Sequence, residues 1–392
     1  MSEAGAAAQP EPKRVLVVAG EASGDRYGAR LMEEIVRQAP GVVFTGIGGR
    51  QMREAGLAPV MDAERIAVLG FFEVLTSLPV IRRAFQRCLE EIGRGVDLVL
   101  LIDYPGFNLR LADRAHKAGV PVVYFVSPQV WAWKPGRVKR IAESVKRMLV
   151  IFPFEVPFYQ ERGVDVTFVG HPLVEILKSA GPRPPREETA LRLGLDPKRR
   201  IIGLLPGSRL KEARRNLPPI LGAARLLARR HDDLQFMIPV ASTLTTGALR
   251  DLLEPPDALQ PVLIEDNFLE AMSLCEAAIV SSGTATMEAG LLEVPMVIVY
   301  RLHPLTYSLA RRMTQLDTFG MVNLVAGRRI VPELIQSDCT PERIAEQMDR
   351  LLTDRILYER TRRDLRAMRE HLGGEGAFQT AARIVVEELR VR

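Results

Sequence analysis

The 392-residue sequence predicts an α/β fold of two doubly wound domains facing a central cleft. Three observations predict it. Short runs of Val, Ile and Leu alternate with amphipathic stretches, the pattern of parallel strands covered on both faces by helices. The rhythm breaks at Gly181-Pro182-Arg183-Pro184-Pro185-Arg186 and then restarts. Each half opens on a strand, a glycine-containing loop and a helix.

The first half supplies strand candidates at Val15–Ala19, Val42–Gly46, Val96–Ile102, Val120–Val126, Arg147–Ile151 and Val166–Val169. An amphipathic helix is expected near Gly28–Gln38. The second half supplies Ile201–Leu205, Gln235–Pro239, Val262–Ile264, Ala277–Val280 and Val294–Tyr300. From Pro341 onward the chain reads as charged helices, ending on an amphipathic stretch at Ala377–Leu389. The expected limits are a disordered tail over 1–13, a first domain over 14–180, a linker over 181–198, a second domain over 199–360 and C-terminal helices over 361–392. Those helices either return to the first domain or exchange with a partner chain.

Composition narrows the function classes. With 47% apolar and 26% charged residues the chain suits a folded globular protein. Cys88, Cys275 and Cys339 are odd in number and far apart, which fits a reducing cytoplasm better than a disulfide framework. No apolar run approaches the roughly 20 residues of a membrane span, and the N-terminus lacks the plan of a signal peptide. No HxxxH, DxD or CxxC spacing suggests a metal, and no cofactor is expected. The net charge is +5, with basic residues crowded at 82–94, 134–147, 198–215 and 311–312. They suit anionic partners or solvated helix faces alike.

In doubly wound sheets ligands bind beyond the C-terminal ends of the strands, so the loops there carry the candidate chemistry. Ala19-Gly20-Glu21-Ala22-Ser23-Gly24-Asp25 offers a tight turn and a helix N-terminus, either a ligand loop or a plain strand–helix turn. In Asp103-Tyr104-Pro105-Gly106-Phe107-Asn108, an apolar strand delivers a carboxylate that is either a general base or a turn former. Asn108 could orient it or bind a sugar. Trp131 and Trp133 suit sugar rings or an interface, with core packing as the alternative. In the second half, Gly207-Ser208-Arg209 can bond phosphate oxygens. Ser281-Ser282-Gly283-Thr284-Ala285-Thr286 opens a helix suited to a pyrophosphate. Glu288 could accept from a ribose diol or complement the helix dipole. His171 reads equally as a cleft residue and a turn residue. The segment Val68–Ile81, with Phe71, Phe72, Val74 and Leu75 ahead of Arg82 and Arg83, reads as a buried helix or as an acyl or membrane contact.

The motifs Ala19–Asp25, Asp103–Asn108, Ser127–Trp133, Leu205–Arg209, Ser282–Glu288, Tyr300-Arg301 and Gly320–Arg328 together resemble the lipid-A-disaccharide synthases in order and spacing. The resemblance covers the chain from about Arg14 to the end. It implies a GT-B fold of two Rossmann-like domains, with the donor nucleotide mostly on the second. It implies metal-independent transfer of 2,3-diacylglucosamine from UDP to 2,3-diacylglucosamine 1-phosphate (lipid X), with inversion. It also implies a peripheral place on the cytoplasmic face of the inner membrane, contact with anionic lipid and no nucleic acid, in a monomer or homodimer. On this reading Asp103 is the base, with Glu21 and Ser23 beside it. Ser208, Arg209, Ser282, Gly283, Thr284, Ala285, Thr286, Glu288 and Asn323 serve the UDP-sugar. Asp25, Asn108, Trp131 and Trp133 line the acceptor side. Gly106 stands where relatives often carry an acid, and Val322 where they commonly carry proline. The rival readings are a peptidoglycan-precursor-type transferase, a UDP-sugar epimerase and a non-enzymatic basic binding protein.

Overall fold

The computed structural model describes residues 12–61, 78–131, 135–179, 181, 184–241, 244–253, 259–265, 267–301 and 318–391. Phe71, Phe72, Val74, Leu75 and Trp133 lie outside the described residues.

Two parallel sheets organise the chain. The first comprises β1 (Arg14–Ala19), β2 (Val43–Ile47), β3 (Leu57–Pro59), β4 (Leu98–Ile102), β5 (Val122–Phe125), β6 (Arg147–Val150) and β7 (Val166–Phe168). Their spatial order is β3-β2-β1-β4-β5-β6-β7. The second comprises β8 (Arg200–Leu205), β9 (Leu234–Pro239), β10 (Val262–Ile264), β11 (Cys275–Ser281), β12 (Met296–Tyr300) and β13 (Glu333–Ile335), in the order β10-β9-β8-β11-β12-β13. Both sheets reverse direction of growth once, between β1 and β4 and between β8 and β11. The loops leaving these four strands are among those that the sequence singles out, and each pair flanks a switch point.

The central strands are apolar because both faces are covered. Val15 to Val18 and Leu98 to Ile102 are fully buried, as are Ile201, Ile202, Ala277, Ala278, Ile279 and Val280. Two strands escape the sequence pattern. β3 and β13 are three-residue edge strands that carry Pro59 and Glu333 in place of an apolar run, unlike the equally short β7 and β10. Lys13, assigned from the sequence to the tail, already joins the sheet: its carbonyl accepts from Val43 N–H and its ammonium lies 3.0 Å from Asp97.

The C-terminal helices divide between the two sheets. Arg355–Glu370 packs on the helices Thr284–Leu291 and Met321–Ala326 of the second half. Ala377–Arg390 crosses back and packs on Ala22–Gln38 of the first. Phe378 sits edge-on to Phe125, ring centroids 6.4 Å apart. Glu388, 4% exposed, takes ion pairs from Lys146 and Arg147 at 2.5 and 2.9 Å. Part of the basic cluster at 134–147 therefore anchors this helix, while Arg137, Lys139 and Arg140 stay exposed. Among the described residues no helix is long and apolar enough to cross a membrane.

Candidate functional site

The two halves meet through the loops at their switch points. Gly20 directly follows β1 and Tyr104 lies two residues beyond β4, and the two are in contact. A Cβ on Gly20 would lie 2.4 Å from the Tyr104 ring, so only glycine fits. The ring also stacks on Phe107 at 5.6 Å. This close approach sets Glu21 next to Asp103.

Asp103 leaves β4 in a strained conformation. Both Asp103 and Tyr104 have φ of +48°, in the left-handed region that side chains with a Cβ disfavour. Such residues cost about 1–3 kcal/mol each and persist only where the surroundings hold them. Here the Asp103 carbonyl accepts from Asn108 Nδ2 at 2.7 Å and from the Tyr124 hydroxyl at 2.5 Å. Desolvation, and then the Glu21 charge, push the Asp103 carboxyl up to about 7, against smaller opposing effects of the Tyr104 N–H and Arg209. A carboxylate tuned there can hold and release a proton at neutral pH.

Of the two tasks its motif suggests, the structure shows Asn108 holding the Asp103 loop. It is fully buried, and Nδ2 lies within hydrogen-bond distance of the carbonyls of Val18, Ile102 and Asp103. It braces the loop. Asp25 is likewise occupied: its carboxylate accepts the N–H groups of Gln51 and Met52 at the start of the helix Arg50–Glu54. Ser23 is half-buried in the first turn of Ala22–Gln38.

On the facing side, Gly207 has φ of +120°, and Arg209 caps the helix Leu210–Ala228. The Arg209 guanidinium crosses the cleft to Glu21 at 2.8 Å. Burial raises the carboxyl of Glu212, which also accepts the N–H groups of Ser208 and Arg209. Ser208 is exposed at the turn. After β11, the helix Thr284–Leu291 opens with Gly283 and Thr284 exposed and Ala285 half-buried. Thr286 is buried, its hydroxyl bonded to Gly283 O at 2.7 Å. The Ser282 hydroxyl reaches Phe319 O at 3.5 Å. The helix start at 283–284 is exposed and carries the positive helix end, a setting for anionic oxygens.

Glu288 is 8% exposed and pairs with Arg26 at 2.8 Å, a second bridge between the halves. Burial holds its carboxyl above the ordinary range, with Arg26 offsetting part of the rise. Asn323 is buried and fully used. Its Oδ1 accepts from Ile330 and Val331, and its Nδ2 donates to Val331 O and Glu333. Glu333 also receives the N–H groups of Phe319 and Gly320. Asn323 thus fixes the shape of its own loop, with Val322 fully buried beside it.

Trp131 donates its indole N–H to Glu155 at 3.0 Å and packs edge-on to Phe154. Glu155 is 1% exposed and also receives the Ser127 hydroxyl and the Phe152 N–H. Its burial pushes the carboxyl up to about 7, although hydrogen bonds from Ser127, Phe152, Trp131 and the Ile151 N–H oppose the rise. His171 is a turn residue: Nδ1 accepts from Leu173 N–H, and burial lowers its pKa to about 3, so the ring is neutral.

Four residues that matter here carry no motif signal. Tyr124 and Glu155 read as a core strand residue and a helix residue. Glu333 sits on a short edge strand. Asn216, fully buried, links Pro206 O, the Ser281 hydroxyl and Arg301 N–H, joining the ends of β8, β11 and β12. Each acts through partners distant in sequence. Among the described residues no group of three or more His, Cys, Asp or Glu could hold a metal ion.

Comparison with known proteins decides the family. The family model for lipid-A-disaccharide synthetase matches residues 15–386. The chain belongs to the lipid-A-disaccharide synthase family. Members include the synthase of Geobacter sulfurreducens, 47% identical over 377 residues, covering 96% of this chain and 97% of that protein. The synthase of Anaeromyxobacter dehalogenans strain 2CP-1 is 44% identical over 381 residues, covering 96% and 98%. The family is one of glycosyltransferases, and the chain is accordingly an enzyme of that class. Solved structures at low identity share the fold. S. aureus MnaA with UDP has a TM-score of 0.67 at 11% identity, covering 97% of this chain and 98% of the other. Acinetobacter baumannii MurG has a TM-score of 0.55 at 15% identity, covering 96% and 100%. Two parallel-sheet domains around a cleft, the GT-B arrangement, are thus established. The epimerase and peptidoglycan-type readings find likeness in fold only.

Proposed function

We propose that the cleft transfers 2,3-diacylglucosamine from its UDP derivative to the 6-hydroxyl of lipid X, giving a β-1,6-linked disaccharide 1-phosphate and UDP. The observation that carries this reading is Asp103, at the switch point of the first sheet, tuned to about 7 and facing Arg209 across the cleft. Family membership supplies the substrates. In a single displacement Asp103 removes the hydroxyl proton as the oxygen attacks the anomeric carbon. The bond from that carbon to the UDP oxygen breaks with inversion, and the electron pair leaves with UDP. Arg209, Ser208 and the helix N-terminus at Ser282–Ala285 stabilise the departing diphosphate. For this, Arg209 exchanges Glu21 for phosphate, while Glu288 keeps Arg26 on Oε1 and accepts from the ribose with its other oxygen. Ser23 and Glu21 shape the base side.

The first domain is taken as 14–180 and the second as 199–360, joined by 181–198. The enzyme works peripherally on the cytoplasmic face of the inner membrane. The apolar segment with Phe71, Phe72, Val74 and Leu75, next to the exposed Arg82 and Arg83, supplies the acyl or lipid contact. Trp131 and Trp133 belong to the acceptor side.

The test is UDP release with and without lipid X, followed by the mass of the product. A transferase releases UDP only when the acceptor is present and yields the disaccharide phosphate. An epimerase converts the donor without acceptor, and a pure binding protein releases nothing.

A further inference from the structure

We infer that Tyr124 is a positioning residue for the reaction: its hydroxyl locks the strained turn that aims the Asp103 carboxylate into the cleft. The inference rests on the reading of Asp103 as the base. Tyr124 lies on β5, fully buried, paired in register with Leu101 of β4. Its phenol donates to the Asp103 carbonyl at 2.5 Å. The same carbonyl accepts from Asn108 at 2.7 Å, and the Asp103 N–H donates to Phe125 O at 3.1 Å. Two adjacent residues of the central sheet thus hold the Asp103 peptide groups, Tyr124 by its side chain and Phe125 by its main chain.

The need for this clamp follows from the backbone. Asp103 and Tyr104 both sit at φ of +48°, and neither is glycine. A relaxed, extended conformation at Asp103 would swing its carbonyl away from both donors. It would also re-aim the carboxylate. In a dry interior the phenol then loses its acceptor, a loss that opposes relaxation. A phenyl ring would keep the packing on β4 and lose this bond together with the hydroxyl's contact with Asn108, which itself bonds the same Asp103 carbonyl. What the hydroxyl adds is therefore local to the Asp103 turn.

The experiment is a double-mutant cycle of Tyr124→Phe and Asp103→Asn, with UDP affinity by calorimetry and hydrogen exchange at the Asp103 amide. Misplacing a reacting group by about 1 Å costs on the order of 10²-fold, so Tyr124→Phe is expected to lower kcat by roughly 10- to 100-fold. UDP affinity and the KM for the donor stay within about twofold. In the Asp103→Asn background Tyr124→Phe causes no further loss, because both act through one group. The Asp103 amide exchanges faster while amides of β8 and β11 do not. Wild-type kcat in Tyr124→Phe overturns the inference. So does an additive loss in the cycle, or exchange that rises evenly through both sheets, since either marks a general structural role. If Asp103→Asn itself keeps normal turnover, the base assignment fails separately, and unchanged exchange at the Asp103 amide then overturns the clamp as well.

Discussion

Arg209 of the second domain donates to Glu21 of the first across the cleft at 2.8 Å, and both side chains remain substantially exposed. Arg209 follows β8, and the neighbouring strand β11 leads to the exposed helix N-terminus at Gly283–Thr284, yet the guanidinium is bound by a pair worth only about 0–1 kcal/mol. An incoming diphosphate can take it over at little cost. Arg209→Ala should therefore weaken UDP binding by roughly tenfold or more while leaving the unfolding midpoint nearly unchanged. Calorimetry with UDP checks this; unchanged affinity removes Arg209 from the phosphate site.

The Arg26–Glu288 bridge behaves differently because it is buried. Arg26→Met strands a carboxylate in a dry contact and should destabilise the protein by roughly 3 kcal/mol. Adding Glu288→Gln should recover part of that stability. Denaturant titration of the two variants provides the comparison, and a double variant no more stable than Arg26→Met would refute the pairing energetics.

Gly20 gives a steric prediction. A methyl group there meets the Tyr104 ring at 2.4 Å, and the ring is backed by Phe107. Gly20→Ala should cost about 1–3 kcal/mol through overpacking and displace the Asp103 turn, lowering kcat more than donor affinity. A variant with normal stability and turnover would show that the loops are looser than the contact implies.

Glu155 gives a pH prediction of definite sign. Its folded carboxyl titrates near 7, against an ordinary value of 4.5. The folded state thus binds more protons than the unfolded state between these values, and stability falls as pH rises from about 4.5 to 7. The full shift corresponds to ~3 kcal/mol at most. Glu155→Gln should flatten this part of the stability curve, and an unchanged slope in urea titrations across the window would count against the assignment.

Much of the fold is legible in the sequence, for physical reasons. Strands buried on both faces must be apolar throughout, which exposes β1, β4, β8 and β11 to inspection. β3 and β13 are short edges interrupted by Pro59 and Glu333 and leave no such trace. The Asp103 loop is visible because a carboxylate directly after an apolar strand is unusual. What Asn108 and Asn323 do is not visible, because an amide that braces its own loop and one that meets a sugar have the same spelling. Tyr124, Glu155 and Asn216 are hidden for the same reason: their partners lie far away in sequence. The exchange of Arg209 between Glu21 and phosphate needs both halves in view.

The central claim, that Asp103 is the base of the transfer, is tested most directly by the pH dependence of kcat in the wild type and in Asp103→Asn. With the folded carboxyl near 7 and its ordinary value at 3.8, the active, deprotonated form is lost as pH falls through about 7. The wild type should show an acid limb there. Asp103→Asn should lose roughly 10²–10⁴-fold in kcat, lack that limb and bind UDP normally. An Asp103→Asn enzyme with near-normal turnover and the same acid limb would contradict the account.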